Sequence, residues 1–174
     1  FPYVSANLFV LPRDSLLVSP FRVLRRGAVR VGVTGFTTPG ATVWNRAQLR
    51  GRLRVGRIEA SAPRAFAAMR RSADLVVALA HSGVAGGSTY DTTGVGAEHV
   101  AGALAGMPAR PDVVIVGHTH GEIRDSTIGE VLFVQPRPYA TAVAVVHVDM
   151  VRPRRSAWQV GRMRSEVVSL ADIA

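Results

Sequence analysis

Apolar residues fall into three patterns along the 174-residue chain. Unbroken runs at Leu75–Ala80, Val113–Val116, Val131–Val134 and Ala142–Val148 predict strands buried on both faces. Alternation of Val29, Val31 and Val33 with Arg30, Gly32 and Thr34 predicts a strand with one wet face. It pairs as a hairpin with Phe21–Leu24 around Arg25-Arg26-Gly27. Ala62, Phe66, Met69 and Ala73, at helical spacing, predict a helix with one apolar face. Ser61 is its expected N-cap, with Pro63 in the first turn. A second helix is expected from about Val95 to Ala105, with Ala97, Val100, Ala101 and Leu104 turned inward. Phe1–Val10 and Trp158–Val168 read as extended ends, and residues 41–57 around Trp44 as a loop with a short helical turn. Strands alternating with helices in the middle, and strands at both ends, predict one layered α/β domain over 1–174 with a mixed sheet.

Composition narrows this. Hydrophobic residues make up 48% of the chain, yet no apolar run reaches the roughly 18 residues of a membrane span. There is no cysteine, so disulfides, thiolate ligands and a Cys nucleophile are excluded, and any metal must be held by His, Asp, Glu, Asn or water. The net charge is +9 and every basic residue is arginine, which excludes a phosphate-binding Gly-Lys loop. The densest arginine groups are Arg22, Arg25, Arg26, Arg30 and Arg152, Arg154, Arg155. No aromatics are interleaved with them, so they read as solvated surface and nucleic acid is not the expected partner. A broad positive field drawing in phosphate anions is the alternative. Phe1 is no start methionine, so the natural beginning is expected to lie upstream and the lack of a targeting segment carries little weight.

The chemistry concentrates at two strand exits. Val113–Val116 runs into Gly117-His118-Thr119-His120-Gly121. In an extended backbone, His118 and His120 would share a face about 6.5–7 Å apart. That spacing suits two imidazoles serving metal ions about 3.5–4 Å apart. Glycines on either side allow a sharp turn. Leu75–Ala80 runs into His81-Ser82-Gly83 in the same way. An intervening helix makes the two strands parallel neighbours, so His81, His118 and His120 should meet beyond the carboxyl ends of the strands. Three imidazoles there point to a metal site. No Gly-x-Ser-x-Gly elbow supports a serine nucleophile at Ser82. His99 reads as a structural or exposed helix residue, and His147 as a strand residue without a metal role.

Ala80-His81-Ser82-Gly83, followed about 35 residues later by Val116-Gly117-His118-Thr119-His120-Gly121, resembles the second half of a calcineurin-like metallophosphoesterase domain. Phe1-Pro2-Tyr3-Val4-Ser5-Ala6-Asn7 and Val31-Gly32-Val33-Thr34-Gly35-Phe36-Thr37-Thr38-Pro39 are similar to strands of its 5′-nucleotidase and 2′,3′-cyclic-nucleotide phosphodiesterase branch. The resemblance covers residues 1 to about 150. It implies an α/β/β/α sandwich, incomplete here at the N-terminus, and two divalent ions (Zn, Mn, Fe, Co or Mg) that clamp a nucleotide or other phosphoester and activate water for in-line attack. His81 and His118 resemble the pair on the second ion, and His120 a ligand of the first. Gly83, Gly117 and Gly121 would shape the backbone around them, while Ser82 and Thr119 are candidates to steady the ligands. The family's Asp-x-His, bridging Asp and Asn-His-Glu do not occur in these residues, so no residue is assigned a catalytic role. A C-terminal substrate-binding domain and a periplasmic or extracellular location are further expectations from the resemblance. In that branch Asn is common at the position of His99, beside a Glu like Glu98. A polyanion-binding module, or a non-catalytic interaction domain, stands as the alternative.

Overall fold

The structure is a computed structural model that describes residues 2–154 and 156–172. Phe1 of the expected first segment and Arg155 of the second arginine group lie outside the described residues.

In chain order, a small three-stranded sheet combines β1 (Leu8–Val10), β2 (Ser15–Leu16) and, later, β5 (Leu53–Val55). The hairpin is β3 (Phe21–Arg26) and β4 (Val29–Thr37), and two single turns follow, α1 (Ala41–Trp44) and α2 (Arg46–Leu49). The long helix α3 (Ile58–Arg70) leads to β6 (Leu75–His81). Then come β7 (Val113–Val116), β8 (Ile123–Ile128), β9 (Val131–Gln135), β10 (Ala142–Val151) and β11 (Gln159–Ser169). The main sheet has the order β3-β4-β6-β7-β9-β8. Its four inner strands are parallel and its two edge strands antiparallel.

Three of the four unbroken apolar runs are inner strands of this sheet, and the fourth, Ala142–Val148, lies in the β10–β11 ribbon. One sheet face, with Val76, Ala78, Ala80, Val114, Val116, Val131 and Phe133, packs on α3 through Ile58, Ala62, Ala65, Phe66 and Met69. Phe36 meets Phe66 edge to face, with centroids 5.8 Å apart. Gly32 lets the helix and the turn after it come close, because a Cβ there would sit 3.2 Å from Met69 Sδ and 3.0 Å from Ala73 Cβ. On the other face, Val134 packs with Ala142 and Val167 of the β10–β11 ribbon, alongside Ile115, Ala144 and Val146. Helix, sheet and ribbon are successive layers of the expected α/β sandwich. Among the described residues no helix is long and apolar enough to cross a membrane.

Three local expectations are corrected. The helix begins at Ile58 after Arg57, and Ser61 and Pro63 lie inside it. Ile58 is fully buried, so the apolar face extends one turn further back than Ala62. The expected 95–105 helix is only a 3₁₀ turn over Ala101–Gly106. Side chains take the backbone bonds a helix would need: Ser88 Oγ accepts the Glu98 N–H, and Ser82 Oγ accepts that of Val100. Gly94 and Gly96 also hold left-handed backbone. Finally, β10 reads as a doubly buried strand but is only half-buried along most of its length, because the ribbon it forms packs by one face.

Candidate metal centre

The parallel pair β6 and β7 places Ala80 opposite Val116, and both strands end at the same edge of the sheet. His81 is the last residue of β6, and its carbonyl accepts the Thr38 N–H at 3.1 Å. The Gly117 N–H bonds the Ala80 carbonyl at 3.1 Å, so the 117–121 turn starts from a fixed point. Past it the backbone is not extended, contrary to the strand-like geometry expected of the His-x-His pair. His118 has φ +78° and His120 φ +54°, both left-handed. Such backbone in non-glycine residues costs energy and concentrates at functional turns.

The left-handed turn brings His118 Nδ1 to 3.2 Å from His81 Nε2, with ring centroids 5.0 Å apart. Two nitrogens bound to one tetrahedral ion at about 2.0–2.1 Å stand about 3.3 Å apart. The pair therefore fits a divalent ion. His120 is exposed, and its Nδ1 stands 3.3 Å from the Tyr139 hydroxyl. Burial first, and then the neighbouring charges of His118 and His120, push the His81 pKa below its ordinary value. A groove of about 320 Å³ opens beside His81, lined by Val4, Ser5, Gly35, Leu79, Ile115 and Gly117 among others.

The residues expected to support the ligands differ in what they do. Ser82 is fully buried and donates to the Glu98 carbonyl at 2.8 Å. Gly83 is required by space, since a Cβ would lie 2.6 Å from both His99 Nδ1 and Thr119 Cγ2. At Gly117 and Gly121 an added Cβ would meet its nearest atoms at 3.7 and 3.8 Å, ordinary contacts. The sharp backbone is carried by the histidines between them. The Thr119 hydroxyl donates to Gln135 Oε1 at 3.0 Å, and Gln135 Nε2 donates to the Gly121 carbonyl at 2.9 Å. Gln135, 2% exposed, thus ties the turn to β9.

Two contributors lie far along the chain from the histidine motifs and were given no site role in the sequence. Glu98, 2% exposed, places Oε1 2.6 Å from His118 Nε2. Burial pushes its pKa up, but the Thr89 backbone N–H, then His118 and the Thr89 hydroxyl, outweigh it and hold the group at about 2. Trp44 lies over His118 with centroids 5.2 Å apart, and Tyr90 abuts Trp44 edge-on at 5.5 Å. Ligand-type atoms of Glu98, His99 and His118 all fall within 4.8 Å of one another. His99 Nδ1 accepts the Gly83 N–H at 3.2 Å, so it has a structural duty beside the site. His147 pairs with Glu166 at 3.1 Å on the exposed ribbon.

No protein-family model matches the chain. It is 26% identical to the 2′,3′-cyclic-nucleotide 2′-phosphodiesterase/3′-nucleotidase of Salmonella typhimurium, over all of this chain and 30% of that protein. It is 31% identical to the Haemophilus influenzae protein of the same name, over 69% of this chain and 19% of that one. The chain thus spans less than a third of the curated relatives it matches. In fold it is similar to the calcineurin-like phosphoesterase YfkN from Bacillus subtilis, with a TM-score of 0.85 and 25% identity over all of this chain and 57% of that one. A putative 5′-nucleotidase from Staphylococcus aureus superposes with a TM-score of 0.74 at 22% identity, over 98% of this chain and 33% of that one.

Proposed function

The chain has the calcineurin-like phosphoesterase fold, and from that premise we propose that the whole protein is a metal-dependent hydrolase of nucleotide phosphoesters. The observation that carries the reading is the 3.2 Å approach of His81 Nε2 and His118 Nδ1 at the carboxyl ends of two parallel strands. The relatives named above, nucleotide phosphoesterases and nucleotidases, support the substrate class.

In this reading His81 and His118 hold one divalent ion, and His120 serves a second. The ions, when bound, supply Lewis-acid stabilisation of phosphoryl charge and an activated water. The chain's own part is to hold imidazole lone pairs at a rigid sheet edge. The resemblance calls for Asp-x-His, bridging Asp and Asn-His-Glu ligands that these residues lack, so the chain alone is proposed to be inactive and to belong to one larger catalytic domain. An exported location goes with the proposal and is read by cell fractionation. Against a polyanion-binding role, Arg30, Arg54, Arg70, Arg110, Arg124 and Arg137 pair with carboxylates of this chain.

The test is metal analysis and hydrolysis of 5′-, 3′- and 2′,3′-cyclic nucleotides with Mn²⁺ or Zn²⁺ by the full-length protein. Metal retention and hydrolysis lost in His118→Ala support the reading. A metal-free protein whose activity is unchanged in His118→Ala overturns it.

A further inference from the structure

Glu98 is the buried carboxylate on which the histidine cluster converges. Its two oxygens have separate neighbours. Oε2 accepts the Thr89 backbone N–H at 2.6 Å and the Thr89 hydroxyl at 2.8 Å. Oε1 lies 2.6 Å from His118 Nε2 and 3.5 Å from His99 Nε2. A backbone N–H can only donate, so the group facing Thr89 must be an acceptor. An ionised carboxylate has no proton to give, so His118 Nε2 must be the donor in its contact. In the neutral imidazole His118 Nδ1 is then the unprotonated nitrogen, and it faces His81. An imidazole nitrogen can bind a metal ion only through such a lone pair. The His99 ring cannot share that duty, because its Nδ1 already accepts the Gly83 N–H. Its proton therefore sits on Nε2, toward the same Glu98 oxygen. Both oxygens of Glu98 are thus filled from inside the protein, and Trp44 against the His118 ring limits its rotation.

We propose that Glu98 is a positioning residue that locks His118 in its Nε2–H tautomer and so aims the Nδ1 lone pair at the site shared with His81. The assignment rests on the metallophosphoesterase reading and adds to it the residue that makes His118 competent as a ligand. Carboxylates that accept from a ligating histidine fix its orientation and raise its basicity, and their loss typically weakens metal binding 10–100-fold.

The geometry makes an unusual demand of one variant. In Glu98→Gln the amide oxygen must stay beside the Thr89 N–H, so the amide NH₂ faces His118 Nε2. That nitrogen must then accept, and the proton moves to Nδ1. The lone pair is lost from the site, and His118 donates to His81 instead. Glu98→Ala leaves Nε2 to water and both tautomers accessible. The isosteric substitution should therefore harm the site more than truncation does. A space-filling role, or direct coordination by Glu98, predicts the opposite order.

Long-range ¹H–¹⁵N correlation spectra of the metal-free chain read the tautomers directly. The native chain should show His118 protonated on Nε2 and His81 donating from Nε2, and Glu98→Gln should invert both. Zn²⁺ titration calorimetry should show binding weakened by roughly 10–100-fold in Glu98→Gln and less in Glu98→Ala. A native His118 protonated on Nδ1 overturns the proposal without any variant having to fold. So does a Glu98→Gln chain that keeps native tautomers or native Zn²⁺ affinity. A loss of Zn²⁺ binding in His118→Ala beside an unaffected Glu98→Gln overturns the role of Glu98 alone. Undiminished Zn²⁺ binding in His118→Ala overturns the metallophosphoesterase reading as well.

Discussion

The two ends of the six-stranded sheet are built to opposite purposes. At the amino end, Asp74 and Asp112 stand just before β6 and β7. Arg30 grips Asp74 through Nε at 3.1 Å and Nη2 at 2.8 Å, and its own backbone N–H bonds the same carboxylate. Arg70 grips Asp112 with two bonds of 2.9 Å, and the Val76 N–H adds a third at 2.7 Å. These are bidentate, charge-assisted pairs with every partner supplied. At the carboxyl end, the same two strands run out into histidines that face one another across 3.2 Å, His118 on left-handed backbone. The amino end even has the larger hollow, about 500 Å³ beside Arg70, Arg110, Asp112 and Glu130, but its charges are already matched. Matched charge there secures the strands, and in the proposed reading the left-handed turn at the other end holds lone pairs ready.

The comparison breaks most clearly at His118. His118→Gly should abolish Zn²⁺ binding in calorimetry yet leave the melting temperature nearly unchanged. Relief of the left-handed backbone, on the order of 1 kcal/mol, offsets the missing Glu98 hydrogen bond and Trp44 ring packing. A collapse in stability would show that the carboxyl end is also structural. Asp112→Ala should do the reverse. Loss of the shared acceptor of Arg70 and Val76 costs roughly 2–4 kcal/mol, about 5–15 °C in melting temperature, while the folded protein binds Zn²⁺ as before.

Acid should loosen both ends over one low-pH window, with His81 adding a second, shallower one at the carboxyl end. Arg30 holds Asp74 below its ordinary 3.8, and Glu98 is held at about 2 against 4.5. The unfolded chain binds protons first at both positions, so their stabilisation is complete above about pH 4.5 and drains away toward pH 2. His81 is depressed from 6.5, so the metal-free chain also loses a little stability as pH falls below that value. Urea unfolding across pH should show both steps. Asp74→Asn should remove part of the acid step alone, and His81→Ala the shallow one alone. The smallest effect belongs to neither end. His147→Ala, on the exposed ribbon, should shift stability by less than about 0.5 kcal/mol and leave Zn²⁺ affinity untouched.

What could be read in advance follows from where the information lies. Unbroken Val and Ile runs need burial on both faces, so β6, β7 and β9 were legible as inner strands, and the parallel pairing of β6 with β7 gave the shared edge of His81 and His118. The 95–105 segment misled because its apolar spacing is helical. Its backbone bonds instead go to Ser82 and Ser88, and no window of residues reports so distant a hydroxyl. The His-x-His spacing misled in a smaller way, because a period of two assumes a strand and these histidines turn left-handed.

The chain by itself determined which side chains reach the carboxyl edge of the sheet, because strand identity is set by local pattern. Only the tertiary structure decided how they are aimed. Glu98 is 20 residues from His118 and Trp44 is 74 away, yet one supplies the hydrogen bond and the other the ring contact that orient it. The tautomer of an imidazole depends on whichever acceptor the fold brings to its far nitrogen, and that is a property of packing, not of sequence neighbours.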